Sequence, residues 1–271
     1  MSKQAYRAFR YAGSKKHLVS YVNKLLSTID TKQYTYIEPF FGSGMIYYNL
    51  EKDFKEVILN DIDENIVDLH HCFKQPYELY RDSLSFVDFN FGNIKESKEA
   101  YYALRDYYNK NSYDKYLLLQ LANSCINSML RFGSNGMNQG FGHRHYVLNV
   151  DTWRHLRTKI LQAGLVYNTD YLEILDTKAS DNCVIFLDPP YEERMMPYSL
   201  TSYSRHQLVG KILQIKDYNN IIILYTDIEN KLSDELLYNG FKKICTKHLR
   251  NTCPSKSSER TNNEYLYCNI L

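Results

Sequence analysis

A chain of 271 residues and 32.1 kDa is long enough for one large α/β domain, or for a catalytic domain carrying a smaller insert. A composition that is 44% hydrophobic and 24% charged excludes a disordered chain, and no apolar run approaches the length of a membrane span. The net charge of +2 neither demands nor excludes a polyanionic partner, so the placement of charge carries more information than its sum.

The chain begins MSKQAYRAFRYAGSKK, which is basic but has no apolar core or small-residue cleavage site, so a cytoplasmic setting is expected. Apolar positions at helical spacing predict a helix over residues 18–29, and a short apolar run at 35–37, ending at Glu38-Pro39, predicts a buried strand. Gly42 and Gly44 lead into a further helical stretch, and residues 57–59 predict a second buried strand that ends at Asn60-Asp61. This alternation is that of a parallel sheet.

Beyond residue 74 the pattern changes. Helices are predicted over 100–109 and 116–129 with no strand between them, and the stretch RFGSNGMNQGFGHRHY (131–146) predicts a loop or hairpin. Residues 75–146 therefore read as an inserted, mainly helical lobe, with 1–74 and 147–271 forming the domain around it. Sheet grammar then returns: a helix over 152–163, an apolar run at 165–167, a strand over 183–187, a helix over 208–215 and a strand over 221–225. A last strand around 265–268 follows the polar loop 251–263. The expected fold is an α/β protein with a Rossmann-like sheet.

The most specific chemical feature is Asp188-Pro189-Pro190-Tyr191 at the carboxyl end of the strand over 183–187, the edge where ligands of open α/β sheets collect. The exocyclic amine of a nucleobase is a poor nucleophile because its lone pair is delocalised into the ring. An enzyme activating it must accept both amine hydrogens. Asp188 offers a carboxylate oxygen and Pro189 a backbone carbonyl, while the two prolines hold the segment extended. Tyr191 offers a flat face on which a base can stack. Alone, the tetrapeptide is equally compatible with a strand-ending turn.

Phe40-Phe41-Gly42-Ser43-Gly44 follows the first strand. Its glycines permit a tight turn and close approach of a ligand, although many α/β proteins carry such a loop without a cofactor. It is not G-x-G-x-x-G, so a dinucleotide is not favoured. Asp61, at the end of the second strand, stands where nucleotide-binding folds hold ribose hydroxyls, with helix N-capping as the alternative. Loop and acid together imply an adenosine-containing ligand without a required pyrophosphate, a description that S-adenosylmethionine (SAM) meets.

Taken in order, Tyr11-Ala12-Gly13-Ser14-Lys15, Glu38-Pro39-Phe40-Phe41-Gly42-Ser43-Gly44, Asn60-Asp61-Ile62, the segment from Arg131 to Arg144, and Asp188 to Tyr191 resemble the Dam family of DNA adenine-N6 methyltransferases of bacteria and phages. The resemblance covers nearly the whole chain, in the order of the family's α group. It implies a Rossmann-like SAM-dependent methyltransferase sheet with an inserted target-recognition domain. It implies that Tyr11, Lys15, Asp61 and Asp188 contact the cofactor, together with Glu38, Pro39, Phe40, Gly42, Gly44, Ile62 and Asp170. Asp188 and Tyr191, with Pro189 and Pro190, form the pocket for the target adenine. It further implies double-stranded DNA as partner, faced by Arg131, Asn138 and Arg144, with no membrane association and no obligate protein partner. A GATC-like site is the family's commonest. Gly140 stands before Phe141-Gly142 where relatives usually carry proline, which leaves the recognition sequence open.

An arginine fork matches the two major-groove acceptors of guanine, whereas a phosphate contact from the same residue adds affinity without sequence choice. Arg131, His143, Arg144, His145, Arg154, Arg157 and Lys159 concentrate positive charge against Asp151. The reaction needs no strong base and no metal, so His143 and His145 read as solvated or phosphate-facing. Tyr198 and Tyr203 either close over an extruded base or pack in the fold. Six cysteines without a C-x-x-C pair read as reduced structural thiols. The rival readings are N4-cytosine methylation, RNA methylation, and a DNA-binding relative without turnover.

Overall fold

The computed structural model describes residues 5–11, 14–111, 114–128, 130–190, 204–226, 231–250 and 261–270. The chain folds into two compact units, each assembled from three separate stretches. A helical unit takes Met1–Val19, Gly42–Leu50 and Asp63–Val166, and a sheet unit takes Ser20–Phe41, Glu51–Ile62 and Tyr167–Leu271. In chain order the elements are α1 (Val19–Ser27), β1 (Thr35–Glu38), β2 (Glu56–Asn60), α2 (Glu64–Cys72), α3 (Tyr77–Phe91), α4 (Lys98–Asn111), α5 (Lys115–Ser124), β3 (Phe132–Gly133), β4 (Gly136–Met137), α6 (Val150–Ala163) and β5 (Val166–Tyr167). There follow α7 (Tyr171–Lys178), β6 (Cys183–Leu187), α8 (Arg205–Ile215), β7 (Ile221–Thr226), α9 (Lys231–Tyr238), β8 (Lys242–Arg250) and β9 (Thr261–Cys268).

Seven strands form one sheet in the order β5-β2-β1-β6-β7-β9-β8. β1 runs parallel to β2 and to β6, and β6 parallel to β7, whereas β9 lies antiparallel between β7 and β8. From β1 the chain builds outward through β2 to β5, then returns to lay β6 on the other side of β1. The topological switch point therefore falls between β1 and β6, the place where open α/β sheets bind ligands. β6 reads CVIFL and β7 reads IIILYT, and every residue of both is buried, as strands covered on two faces require. Ile37, Ile58, Ile185 and Leu224 pack there with Ile174 of α7 and Ile212 of α8. The sheet is the Rossmann-like methyltransferase sheet that the resemblance implies.

In the helical unit the core gathers around Trp153 of α6. Its indole N–H donates to the Gln75 carbonyl at 2.9 Å, and its ring stacks on Tyr80 with centroids 5.1 Å apart. The hairpin of β3 and β4 is antiparallel, with Phe132 opposite Met137.

Two expectations are corrected. The helical stretch after Gly44 is a single turn: Tyr48 N–H donates to the Gly44 carbonyl at 3.0 Å, a 3-10 turn spans Tyr47–Asn49, and Leu50 is already extended. The helix predicted to reach residue 129 ends at Ser124, because Cys125 is extended and bridges Phe141. α2, α3, α7, α9 and β8 were not predicted.

Candidate functional site

Within the sheet unit, the register sets three strand ends side by side. Glu38 of β1 pairs with Leu59 of β2, and Ile37 with Ile185 of β6, so the chain emerges from neighbouring strands at Pro39-Phe40, Asp61-Ile62 and Asp188-Pro189. Glu38 is only 2% exposed, and its Oε2 accepts the Tyr36 hydroxyl at 2.7 Å. Asn60 ties the ends together. Its Nδ2 donates to the carbonyls of Pro39 and Thr169, each at 3.0 Å, its Oδ1 accepts the Thr169 N–H at 3.0 Å, and its own carbonyl accepts the Phe41 N–H at 2.8 Å.

Asp61 follows directly and is 9% exposed. Its N–H donates to the Tyr167 carbonyl at 3.1 Å, and Asn168 Nδ2 donates to the carbonyls of Asp61 and Ile62 at 2.9 Å. Helix capping does not account for Asp61, because the N-cap of α2 is Asp63, whose Oδ1 accepts the Asn65 N–H at 2.9 Å. Asp170 is itself a cap, accepting the Leu172 N–H of α7 at 2.8 Å. The Phe40 ring lies 5.0 Å from that of Tyr171, and Ile62 is exposed. At the end of β6, Asp188 is half-buried, Pro189 buried and Pro190 exposed. Tyr191, Tyr198 and Tyr203 lie outside the described residues.

The helical unit holds the glycine loop. Gly42 and Gly44 adopt φ of +50° and +68°, a region that side chains strain to enter. A Cβ on Gly42 would come 3.3 Å from the Tyr11 ring, so Tyr11 packs directly on that backbone. Lys15 is half-buried, and the neighbouring Ser14 Oγ is buried without a hydrogen-bond partner among the described residues. On the loop's other side, His70 Nε2 meets the Gly42 carbonyl at 2.8 Å and His70 Nδ1 meets the Tyr48 hydroxyl at 2.8 Å. The loop's continuation is held from α6, where Lys159 Nζ donates to the Leu50 carbonyl at 3.1 Å and His155 Nε2 lies 2.6 Å from the Tyr48 carbonyl. His70 and His155 lay beyond sequence reasoning, since their partners are remote along the chain.

The three DNA-facing candidates also belong to the helical unit. Arg131 and Asn138 flank the β3–β4 hairpin, both exposed, and the Asn138 N–H donates to the Arg131 carbonyl at 2.9 Å. Asn109 of α4 anchors that hairpin: its Nδ2 donates to the Met137 carbonyl and its Oδ1 accepts the Met137 N–H, each at 2.8 Å. Farther on, the Gly142 N–H donates to the Ser124 carbonyl at 2.9 Å and the Tyr146 N–H to the Asn123 carbonyl at 3.2 Å. The segment that carries exposed Arg144 thus runs alongside residues 123–126. The amino-terminal segment joins it. Arg10 donates from Nη1 to the Arg144 carbonyl and from its N–H to Asn123 Oδ1 at 2.8 Å, while the Arg7 guanidinium lies 5.8 Å over the Tyr146 ring. Burial, with Arg7 and Arg144 nearby, lowers the Arg10 pKa. Arg7 and Arg10 stand among the basic residues of the opening sixteen, but only their contacts assign them to this cationic cluster.

Among the described residues, no group of His, Cys, Asp and Glu is arranged to hold a metal ion, and no helix is long and apolar enough to cross a membrane. Cys72, Cys125, Cys183 and Cys268 are buried free thiols.

The chain is 27% identical over 268 residues to the type II methyltransferase M.MjaIII of Methanocaldococcus jannaschii, covering 89% of this chain and 91% of that one. It is 26% identical over 258 residues to the DNA adenine methylase of Haemophilus influenzae, with 89% and 87% covered. To the DNA adenine methylase of Escherichia coli K12 it is 28% identical over 205 residues, with 73% and 69% covered. The profile of the D12 class N6 adenine-specific DNA methyltransferases matches residues 11–252. With these likenesses and a methyltransferase sheet whose Asp188-Pro189-Pro190 leaves β6 at the switch point, the chain belongs to the D12 class of N6 adenine-specific DNA methyltransferases.

Proposed function

We propose that the protein transfers a methyl group from SAM to N6 of an adenine rotated out of duplex DNA, within a short GATC-like site and in the cytoplasm. The observation that carries this reading is the placement of Asp188 and Pro189 at the carboxyl end of β6, beside the ends of β1 and β2. The residues present suit the donor. Gly42 is a backbone position that a Cβ would close against Tyr11, Ser14 presents a buried hydroxyl without a partner among the described residues, and Asp61 is a buried carboxylate suited to ribose hydroxyls. SAM supplies, when bound, a methyl group on a positively charged sulfur. We assign its binding to Tyr11, Lys15, Glu38, Pro39, Phe40, Gly42, Gly44, Asp61, Ile62, Asp170 and Asp188.

The amine of a stacked, paired adenine is out of reach, so the base must leave the duplex. Asp188 Oδ and the Pro189 carbonyl each accept one N6 hydrogen. Their pull draws the nitrogen towards tetrahedral geometry and directs its lone pair outward, and the carboxylate stabilises the positive charge that develops on N6. Tyr191 stacks on the base. The N6 proton is acidic once the nitrogen is cationic and leaves without a dedicated base.

We further assign recognition of the duplex to the lobe of residues 75–146. Arg131 and Asn138 on the anchored hairpin read base edges, while Arg144 with Arg7 and Arg10 neutralises phosphates. The test is expression in a methylation-free host, followed by nucleoside mass analysis and sequencing of modified bases at single-nucleotide resolution. N6-methyladenine at one short sequence is expected. N4-methylcytosine without N6-methyladenine, or unmodified DNA despite tight DNA binding, overturns the reading.

A further inference from the structure

His70 of α2 is fully buried and makes two hydrogen bonds whose directions can be assigned from the chemistry of the partners. The Gly42 carbonyl only accepts, so His70 Nε2 carries the proton and donates across 2.8 Å. A neutral imidazole has one N–H, which leaves Nδ1 as a lone pair, and the Tyr48 hydroxyl donates to it across 2.8 Å. Burial keeps the ring in this neutral form, pushing the His70 pKa down to about 3. Tyr48 closes the circuit, since its backbone N–H donates to the Gly44 carbonyl at 3.0 Å. Phe9 and Phe73 flank the imidazole with centroids at 5.2 and 6.4 Å.

A trans peptide points its N–H opposite its C=O, and the described residues contain no cis peptide. Holding the Gly42 carbonyl against α2 therefore aims the Ser43 N–H away from α2. On the Tyr11 side, any Cβ on Gly42 would press on the ring, so the loop is fixed from both directions.

We infer that His70 is a positioning residue for the cofactor. Through its Nε2–H bond to Gly42 it orients the Gly42–Ser43 peptide so that the Ser43 N–H is presented to SAM, and the Tyr48 hydroxyl, donating to Nδ1, steadies the ring in the tautomer that the Gly42 carbonyl requires. The inference rests on the reading of the glycine loop as part of the cofactor site.

The experiment compares His70→Gln, His70→Asn, His70→Phe and Tyr48→Phe by cofactor KM, kcat at saturating cofactor, and sinefungin affinity by calorimetry. Glutamine places an amide nitrogen near the Nε2 position and keeps the donor to Gly42, whereas asparagine reaches only the Nδ1 position and phenylalanine offers neither. Loss of that one hydrogen bond is expected to raise the cofactor KM and the sinefungin Kd about fivefold or more in the Asn and Phe variants, with kcat within about twofold of wild type. His70→Gln restores KM to near the wild-type value, and Tyr48→Phe falls between. A Gln variant as impaired as Phe overturns the inference, as does a Phe variant that loses thermal stability while keeping its KM. Where the His70 variants do not fold, Tyr48→Phe decides: a raised KM supports the inference and an unchanged KM overturns it. Asp61→Ala separates the two levels. Weakened sinefungin binding there with normal binding in His70→Phe discards only the role of His70, while normal binding in both discards the cofactor reading beneath it.

Discussion

Asn60 and Thr169 exchange two hydrogen bonds, the Asn60 amide donating to the Thr169 carbonyl and the Thr169 N–H returning to Asn60 Oδ1, both at 3.0 Å. The second amide hydrogen of Asn60 reaches the Pro39 carbonyl, so one side chain sets the exits of β1 and β2 and the turn before α7. Asn60→Asp keeps the shape but turns both donors into an oxygen facing two carbonyls. A loss of about 3 kcal/mol in unfolding free energy is expected, measurable by urea denaturation. A variant as stable as wild type refutes the clamp.

Asp63 caps α2, whereas the proposed cofactor site claims Asp61, two tasks that their spacing in sequence leaves mixed. Asp63→Ala removes the cap of α2 and is expected to lower stability by about 1 kcal/mol with sinefungin affinity intact. Asp61→Ala is expected to do the reverse, weakening sinefungin with little effect on the melting temperature. Calorimetry and thermal unfolding of the pair check this, and a cofactor defect in Asp63→Ala instead would exchange the roles.

In the proposed mechanism Asp188 accepts a hydrogen of the target amine, so Asp188→Ala would remove a group whose effect grows as charge develops on the nitrogen. Single-turnover methylation is expected to fall about a hundredfold or more, with DNA affinity in gel-shift titrations within about twofold. Undiminished turnover takes Asp188 out of the chemistry.

Gly142 has no room for a side chain: a Cβ there would stand 2.6 Å from the Cys125 carbonyl oxygen. Gly142→Ala must separate the Arg144 segment from the end of α5, at a cost of about 2 kcal/mol or more. DNA affinity is expected to drop while sinefungin binding is kept. Equal loss of both would show that the damage spreads beyond the Arg144 segment.

The buried, neutral state of His70 has a pH signature. Its folded pKa of about 3 lies below the ordinary 6.5, with burial the main cause and the neighbouring His71 adding to it. The unfolded chain therefore binds the extra proton as the pH falls below 6.5, and stability present above that value is lost on acidification, by about 1.4 kcal/mol per pH unit from this group. Urea titrations between pH 7 and pH 5 are expected to show a shallower decline in His70→Phe than in wild type. Parallel curves would place the acid sensitivity elsewhere, for instance at His145 and His155, whose pKa values are also lowered by burial.

β1, β2, β6 and β7 were legible in the sequence because central parallel strands must be apolar on both faces, and such short runs stand out. β8 was not. As an edge strand reading KKICTKHLR it carries the charges that protect edges, and so resembles a loop. α3 escaped for a related reason: Tyr80 and Val87 are its buried apolar positions, while Phe86 and Phe89 face outward and blur the helical period. Asp61 and Asp188 could be singled out as candidates because strand ends advertise themselves. His70 could not, because a buried histidine is defined by the carbonyl and hydroxyl that meet it, and Gly42 and Tyr48 are far back along the chain.

β1 takes its second neighbour, β6, from the far side of the long helical stretch, with Thr35 paired to Cys183. During synthesis the centre of the sheet therefore waits, one flank of β1 bare, until most of the polypeptide has left the ribosome. Long-range parallel pairing of this kind is slow and exposes an adhesive backbone in the interval. Codon changes that alter the pace of translation between residues 61 and 182 should accordingly affect soluble yield more than comparable changes downstream of β7.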